Sequence, residues 1–226
     1  MVPNDIVVVD TETTGTELDS RICEFGAYGS TLSYNALVNP KIPIPPETSA
    51  IHHITDADVE GAASWEAISE YVLLLFQDKG VKYLAAHNAE FDKHYLGPDF
   101  AGFTWLCTYK IALRVWPNAP NHKNETLCYW KGIGDLGRSH STASHSALHD
   151  ARKTYGLLSC LLKECTIEQA IKWSSEPKFI VKLGFGKHKG KTWAEIDSGY
   201  LNWMCSQKDM DPDLIHWARL ELQRRR

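Results

Sequence analysis

Four consecutive apolar residues, Ile6 to Val9, run straight into two carboxylates, Asp10 and Glu12. A short valine-rich run of this kind reads as a buried strand. Side chains two apart on a strand face the same side, so both acids project together from its end. A fold built on this strand must therefore bring a compensating group to its acidic tip.

The segments that follow suit such a strand. Residues 21–30 and 31–38 read as two further strands, divided at Gly29 and Ser30, which predicts an antiparallel meander. Pro40, Pro43, Pro45 and Pro46 mark 39–48 as an extended connector. Trp65, Ile68, Val72, Leu75 and Phe76 recur at helical spacing over 64–77. A short strand is expected at 81–86, then a helix capped by Asn88 and running toward Leu96. A strand at 103–107 precedes a helix through Trp116, and the glycines and serines of 132–144 predict a flexible loop. Helices close this part at 146–164 and 166–173. Strands first, then alternating strands and helices, predict an α/β fold with a mixed sheet flanked by helices.

Charge places the domain boundary. The chain has 226 residues and a formal net charge of -4, which by itself disfavours a polyanionic partner. Residues 178–226, however, hold ten Lys/Arg against six Asp/Glu, while residues 1–177 hold 14 against 22. The expectation is a domain over 1–176 and a small basic module over 177–226. Between Lys178 and Lys191 lie five lysines, one histidine and no acid, interleaved with Phe179, Phe185 and, just beyond, Trp193 and Trp203. Lys187, Lys189 and Lys191 are thus candidate phosphate contacts, with the aromatic rings as stacking surfaces. Trp65, Trp105, Trp116 and Trp130 read as core.

Several classes drop out. No apolar run reaches the 18 residues of a membrane span, and the N-terminus has no signal-peptide pattern. Six cysteines without a CxxC pair argue against zinc and disulfides, and for a reducing, cytoplasmic setting.

The remaining acids complete the constellation. Asp92 falls in the first turns of the helix after His87 and Asn88, and Asp150 near the start of the long helix. Four carboxylates drawn from separate elements converge only around hard divalent cations, with Mg²⁺ or Mn²⁺ preferred by oxygen ligands. Two such ions suit phosphodiester hydrolysis. His145 and Asp150, five apart, would not stack on one helix face. His145 is better placed on the preceding loop, where a neutral imidazole can accept a proton from the attacking water. His149 could compete for that role, but its offset turns it to another side of the helix. His52 reads equally as core or nucleotide-facing, and Glu24 as a supporting acid or an exposed strand residue.

DTETTG at 10–15, HNAEFD at 87–92 and HSALHD at 145–150 resemble the three motifs of the DEDDh exonuclease superfamily, and AIHHIT at 50–55 resembles the segment between its first two. Within it, CTYKIALRVWP at 107–117, FGKHKGKTWAEI at 185–196 and GYLNWM at 199–204 are similar to the exodeoxyribonuclease X family. The resemblance implies a ribonuclease-H-like fold and stepwise 3′→5′ removal of nucleotides from DNA. It also implies a role in DNA repair and a bacterial or phage source. By motif, Asp10, Glu12, Asp92 and Asp150 would bind two Mg²⁺ ions, and His145 would be the general base. Thr11, Thr13, Ile54 and Asn88 would meet the terminal nucleotide. Thr16 stands where relatives carry a large apolar wedge residue, leaving Leu18 as the substitute. RNA remains an alternative substrate, as in ribonuclease T or oligoribonuclease. So do a proofreading role like that of polymerase III epsilon, and a non-catalytic nucleic-acid binder. Oligomeric state is not fixed by these motifs.

Overall fold

The computed structural model describes residues 2–133 and 146–226. Strands β1 (Ile6–Thr13), β2 (Ile22–Gly29) and β3 (Leu32–Leu37) form the expected meander. Then come α1 (Pro46–His52), α2 (Asp56–Val59), α3 (Trp65–Asp78), β4 (Tyr83–Ala86), α4 (Glu90–Leu96), β5 (Thr104–Cys107) and α5 (Thr108–Val115). Helices α6 (Asn124–Trp130), α7 (Ala147–Leu161), α8 (Ile167–Ser175), α9 (Ser198–Ser206) and α10 (Pro212–Arg224) complete the chain.

The sheet order is β3-β2-β1-β4-β5. β1 and β2 pair antiparallel, as do β2 and β3, whereas β4 pairs parallel with both β1 and β5. β1 is central, which is why its apolar run is continuous. Val7 and Val9 pack with Phe25, Val72 and Phe76 on the α3 side. Ile6 and Val8 pack with Ile111, Leu157 and Leu158 on the side of α5 and α7. Each such buried side chain contributes roughly 1.5–3 kcal/mol. The alternation carries Asp10 and Glu12 onto the α7 side of the sheet.

Residues beyond Pro177 build a cluster of their own from Leu183, Trp193, Ile196, Leu201, Met204 and Ala218. No described helix is long and apolar enough to cross a membrane.

Four expectations need correction. The connector at 39–48 ends early, because α1 begins at Pro46, a position where a helix needs no N–H. Asn88 does not cap α4 with its side chain; it takes a left-handed conformation, φ 68°, and its carbonyl accepts from Phe91 N. Trp130 is 44% exposed rather than core, with the Lys131 ammonium 4.5 Å from its ring centre. Trp193 is a core residue of the C-terminal cluster and not a free stacking surface.

Candidate active site

The acidic end of β1 is met from above by the first turn of α7. Their closeness begins with a glycine. Gly26 pairs directly with Asp10 across the antiparallel ladder. A Cβ at Gly26 would collide with the backbone of Ala147 and Leu148. Only hydrogen at this position lets the helix start rest on the sheet.

Glu24 fixes the same contact chemically. It pairs with Glu12 in the ladder, so both side chains face α7. Ala147 N donates to Glu24 Oε2 at 2.9 Å and Ser146 Oγ to Oε1 at 3.2 Å. Asn35 Nδ2 also donates to Oε1, at 2.8 Å. A carboxylate thus meets two donors at a helix N-terminus, where backbone N–H groups lack intrahelical partners.

One turn into α7, Asp150 reaches the strand tip. Asp10, Glu12 and Asp150 each offer an oxygen, all within 4.8 Å of one another. Asp92 stands outside this compact set. Its Oδ1 accepts from Thr11 Oγ1 at 3.0 Å, and it is buried. The backbone alternation explains the division: Thr11 faces away from α7, toward α4.

Crowding the acids alters their protonation. Burial first, then the charges of Asp92, Asp150, Glu12 and Glu24, raise Asp10 well above the carboxylate range. Glu12 is pushed up to about 8 by burial, then by Asp150, Glu24 and Asp92. Asp92 is raised to about 7 by burial, with the Thr11 hydroxyl pulling the other way. An all-oxygen set that resists ionisation in isolation suits a hard divalent cation, which supplies the missing positive charge.

A family model described as Exonuclease (RNase_T) matches residues 7–158. The chain belongs to this exonuclease family. It is 31% identical to Exodeoxyribonuclease 10 of Escherichia coli strain K12 over 218 residues, covering 92% of this chain and 94% of that protein. An uncharacterized exonuclease, CP81 of Escherichia phage 186, is 31% identical over 176 residues, covering 71% of this chain and 89% of that one. Among solved structures, Exonuclease X in complex with 5′ overhanging duplex DNA aligns with TM-score 0.63 and 28% identity. That alignment covers 75% of this chain and 99% of the other. The nuclease domain of 3′hExo, a DEDDh family member bound to rAMP, shares the fold at TM-score 0.57 and 16% identity, over 70% of this chain and 91% of that one. The protein is thus a 3′–5′ exonuclease with a ribonuclease-H-like fold.

This exonuclease holds one cation against its acidic cluster that the motifs did not reveal. Lys153, on α7, is buried; its Nζ lies 3.1 Å from Asp150 Oδ1 and 2.7 Å from Glu125 Oε2. Burial pulls Lys153 down, but the Glu125 hydrogen bond and the Asp150 charge outweigh it, so the ammonium is held above its ordinary value. The i,i+3 spacing from Asp150 was the available signal. Lys153→Met should lower the stability of the metal-free enzyme by about 1–3 kcal/mol. It should also tighten Mn²⁺ binding by calorimetry, because one competing cation is gone. Unaltered stability and unaltered Mn²⁺ affinity together would show that Lys153 does not compensate the cluster.

The other expected residues are scattered around this centre. Thr13 Oγ1 donates to Gly15 O at 2.6 Å, and Tyr95 Oη donates to Gly15 O and Glu17 O at 3.2 Å each. These bonds brace the turn that presents Leu18, which is 90% exposed. Ile54 is 7% exposed and packs with Cys23, Ile44 and Val59. His52 is buried beside Cys23, in the core reading rather than the nucleotide-facing one. His87 is held near pKa 4, chiefly by burial. It is a neutral strut, 2.9 Å from both Thr108 Oγ1 and His122 O. Lys187, Lys189 and Lys191 are exposed on the loop closed by Leu183 N→Lys191 O and Gly190 N→Leu183 O. Lys187 is not free: it lies 3.5 Å from Asp197. His145 lies outside the described residues, as does most of the expected loop at 132–144.

Proposed function

We propose that this exonuclease hydrolyses the terminal phosphodiester at DNA 3′ ends and releases nucleoside 5′-monophosphates. The observation that carries the reading is the Asp10–Glu12–Asp150 cluster, whose oxygens share one small volume at the end of a central strand. DNA is favoured because the relative matched over nearly its full length is an exodeoxyribonuclease, and because the solved Exonuclease X structure holds duplex DNA.

Asp10, Glu12 and Asp150 would hold one Mg²⁺, with Asp10 also reaching a second that Asp92 supports; Mn²⁺ would substitute. The ions would supply Lewis acidity toward the phosphate and lower the pKa of the attacking water. The chain's own groups do the rest. Glu24 and Gly26 fix α7 so that Asp150 keeps its distance from Asp10. Thr11 orients Asp92. His145, adjoining the start of α7 in sequence, takes the proton from the nucleophile. Leu18 and Asn88 contact the terminal nucleotide, with Thr13 setting the turn beneath it and Ile54 forming the pocket wall. The 1–176 domain carries the chemistry, and the basic 177–226 module, through Lys187, Lys189 and Lys191, holds phosphates farther along the strand.

End-labelled single-stranded, blunt and 3′-tailed DNA, with matched RNA as control, tests this reading. Mg²⁺ should produce progressive shortening from DNA 3′ ends and mononucleotide products, with RNA cut more slowly. Equal or faster RNA digestion would reassign the substrate. An absence of shortening with either Mg²⁺ or Mn²⁺ would overturn the proposal.

A further inference from the structure

The joint between the nuclease core and the C-terminal cluster is built from aromatic rings around one cation. Arg114, on α5, lies 5.4 Å from the ring centre of Phe179, 5.6 Å from that of Trp217 and 5.9 Å from that of Trp173. Its Nη2 also donates to Glu176 Oε2 at 2.7 Å. Planar guanidinium against several ring faces, plus a charged hydrogen bond, makes a specific clasp.

The segment leaving the clasp is irregular and pinned at alternate carbonyls. Trp217 Nε1 donates to Lys178 O at 2.8 Å and Trp193 Nε1 to Ile180 O at 2.5 Å. Two indoles of the C-terminal cluster thereby hold 178–182 open beside α5, leaving a groove of about 510 Å³. Tyr109 and His122 line one wall; Lys178, Phe179, Val181 and Lys182 line the other. No carboxylate is among its described lining residues. Lys178 is only loosely paired, 4.0 Å from Asp211 and Asp213.

Edge-on ring contacts link the groove to the second motif. Tyr109 meets His87 edge-on at 5.8 Å and His122 at 6.4 Å. His87 opens the second motif and precedes Asn88, whose left-handed backbone shapes the turn before Asp92.

We propose that this groove holds the single-stranded part of the substrate upstream of the scissile 3′ end. The inference rests on the exonuclease reading above and adds the path of the strand. Lysine ammoniums at the rim, with the Tyr109 ring in the wall, match the two needs of an unpaired strand. Those needs are screening of phosphates and faces for bases to stack on. A peptide or a lipid headgroup would leave one half of this lining unused. The rigid clasp gives the function its value: the track keeps one angle to the catalytic acids, so a long strand is aimed at them.

The test compares short and long substrates with the full-length protein. Lys182→Glu reverses a charge at the exposed rim, and Asn118→Asp adds one on the opposite wall; neither residue belongs to the catalytic cluster. Fluorescence anisotropy should read 5–10-fold weaker binding to a thymidine oligomer about fifteen nucleotides long, and a salt slope shallower by about 0.7 per lost phosphate contact. KM for that oligomer should rise, while kcat for it and all constants for a trinucleotide should stay near those of the parent. Should both variants melt like the parent and bind the long oligomer with parental affinity, the groove is not the track. Equal losses on short and long substrates would overturn it as well, placing the effect at the catalytic end. A parent enzyme that binds the oligomer but cuts nothing would sink the nuclease reading and leave the groove standing, because anisotropy needs no cleavage.

Discussion

Replacing Asp10 by asparagine should abolish metal-dependent shortening of DNA, by about a thousand-fold or more, while making the metal-free protein more stable. Both halves follow from one position. Asp10 lies in the cluster with Glu12 and Asp150, and burial first, then four neighbouring acids, raise its affinity for a proton. A neutral amide of the same shape needs no proton and relieves that repulsion, so the metal-free fold gains stability at pH 8. It also removes the anionic oxygen that a divalent ion requires. Calorimetry with Mn²⁺ should lose its strongest site, and thermal unfolding in chelator should shift upward. Digestion at the parental rate would refute the assignment of the cluster. Loss of activity with a fall in stability would instead mean that the amide does not fit in place of the carboxylate, and that the electrostatic account is wrong.

Without metal, the enzyme should lose stability as pH rises from about 4.5 to about 8, and regain it on addition of Mg²⁺. Glu12 moves from its ordinary 4.5 to about 8, and Asp92 from 3.8 to about 7. Within that window the folded protein retains protons that the unfolded chain has released. More protons bound in the folded state means that unfolding free energy falls with rising pH, levelling off above the folded pKa values. The fall should amount to several kcal/mol at most, since coupled neighbours share protons and water relaxes into the cluster. Urea unfolding at pH 5, 6.5 and 8, in chelator and in Mg²⁺, reads it directly. A flat profile in chelator would show that the acids ionise freely and that the cluster is not a preformed cation site.

Much of this architecture was legible because local pattern and global role coincide. The valine run of β1 suits a central strand, and its alternation already assigns Asp10 and Glu12 to one face. The meander and the helices α3, α5 and α7 follow from periodicity and glycine placement. What remained hidden depends on contacts between elements far apart in sequence. Lys153 carries no signal beyond its i,i+3 spacing from Asp150 until α6 brings Glu125 beside it. Thr11, expected at the nucleotide, turns its hydroxyl to Asp92, 81 residues away. Trp193 reads as a stacking surface, and Trp217 carries no signal at all. Their indole N–H groups tie down a backbone segment that has no pattern of its own. The short helix α1 escaped because the prolines at 40, 43, 45 and 46 outweighed the few helical residues beside them, and α2 because four residues are too few to show a period.

Gly26 has a consequence for how this enzyme can vary. The spacing between the strand acids and Asp150 is set where α7 rests on bare backbone. A gauge of that kind has no adjustable part: no rotamer can yield, and any added atom lifts the helix as a whole. A screen for nuclease-dead variants should therefore recover substitutions at Gly26 alongside those at the acids, although Gly26 contributes no oxygen, proton or charge. The ligands have chemical stand-ins, glutamate for aspartate among them. The residue that measures the gap between them has none.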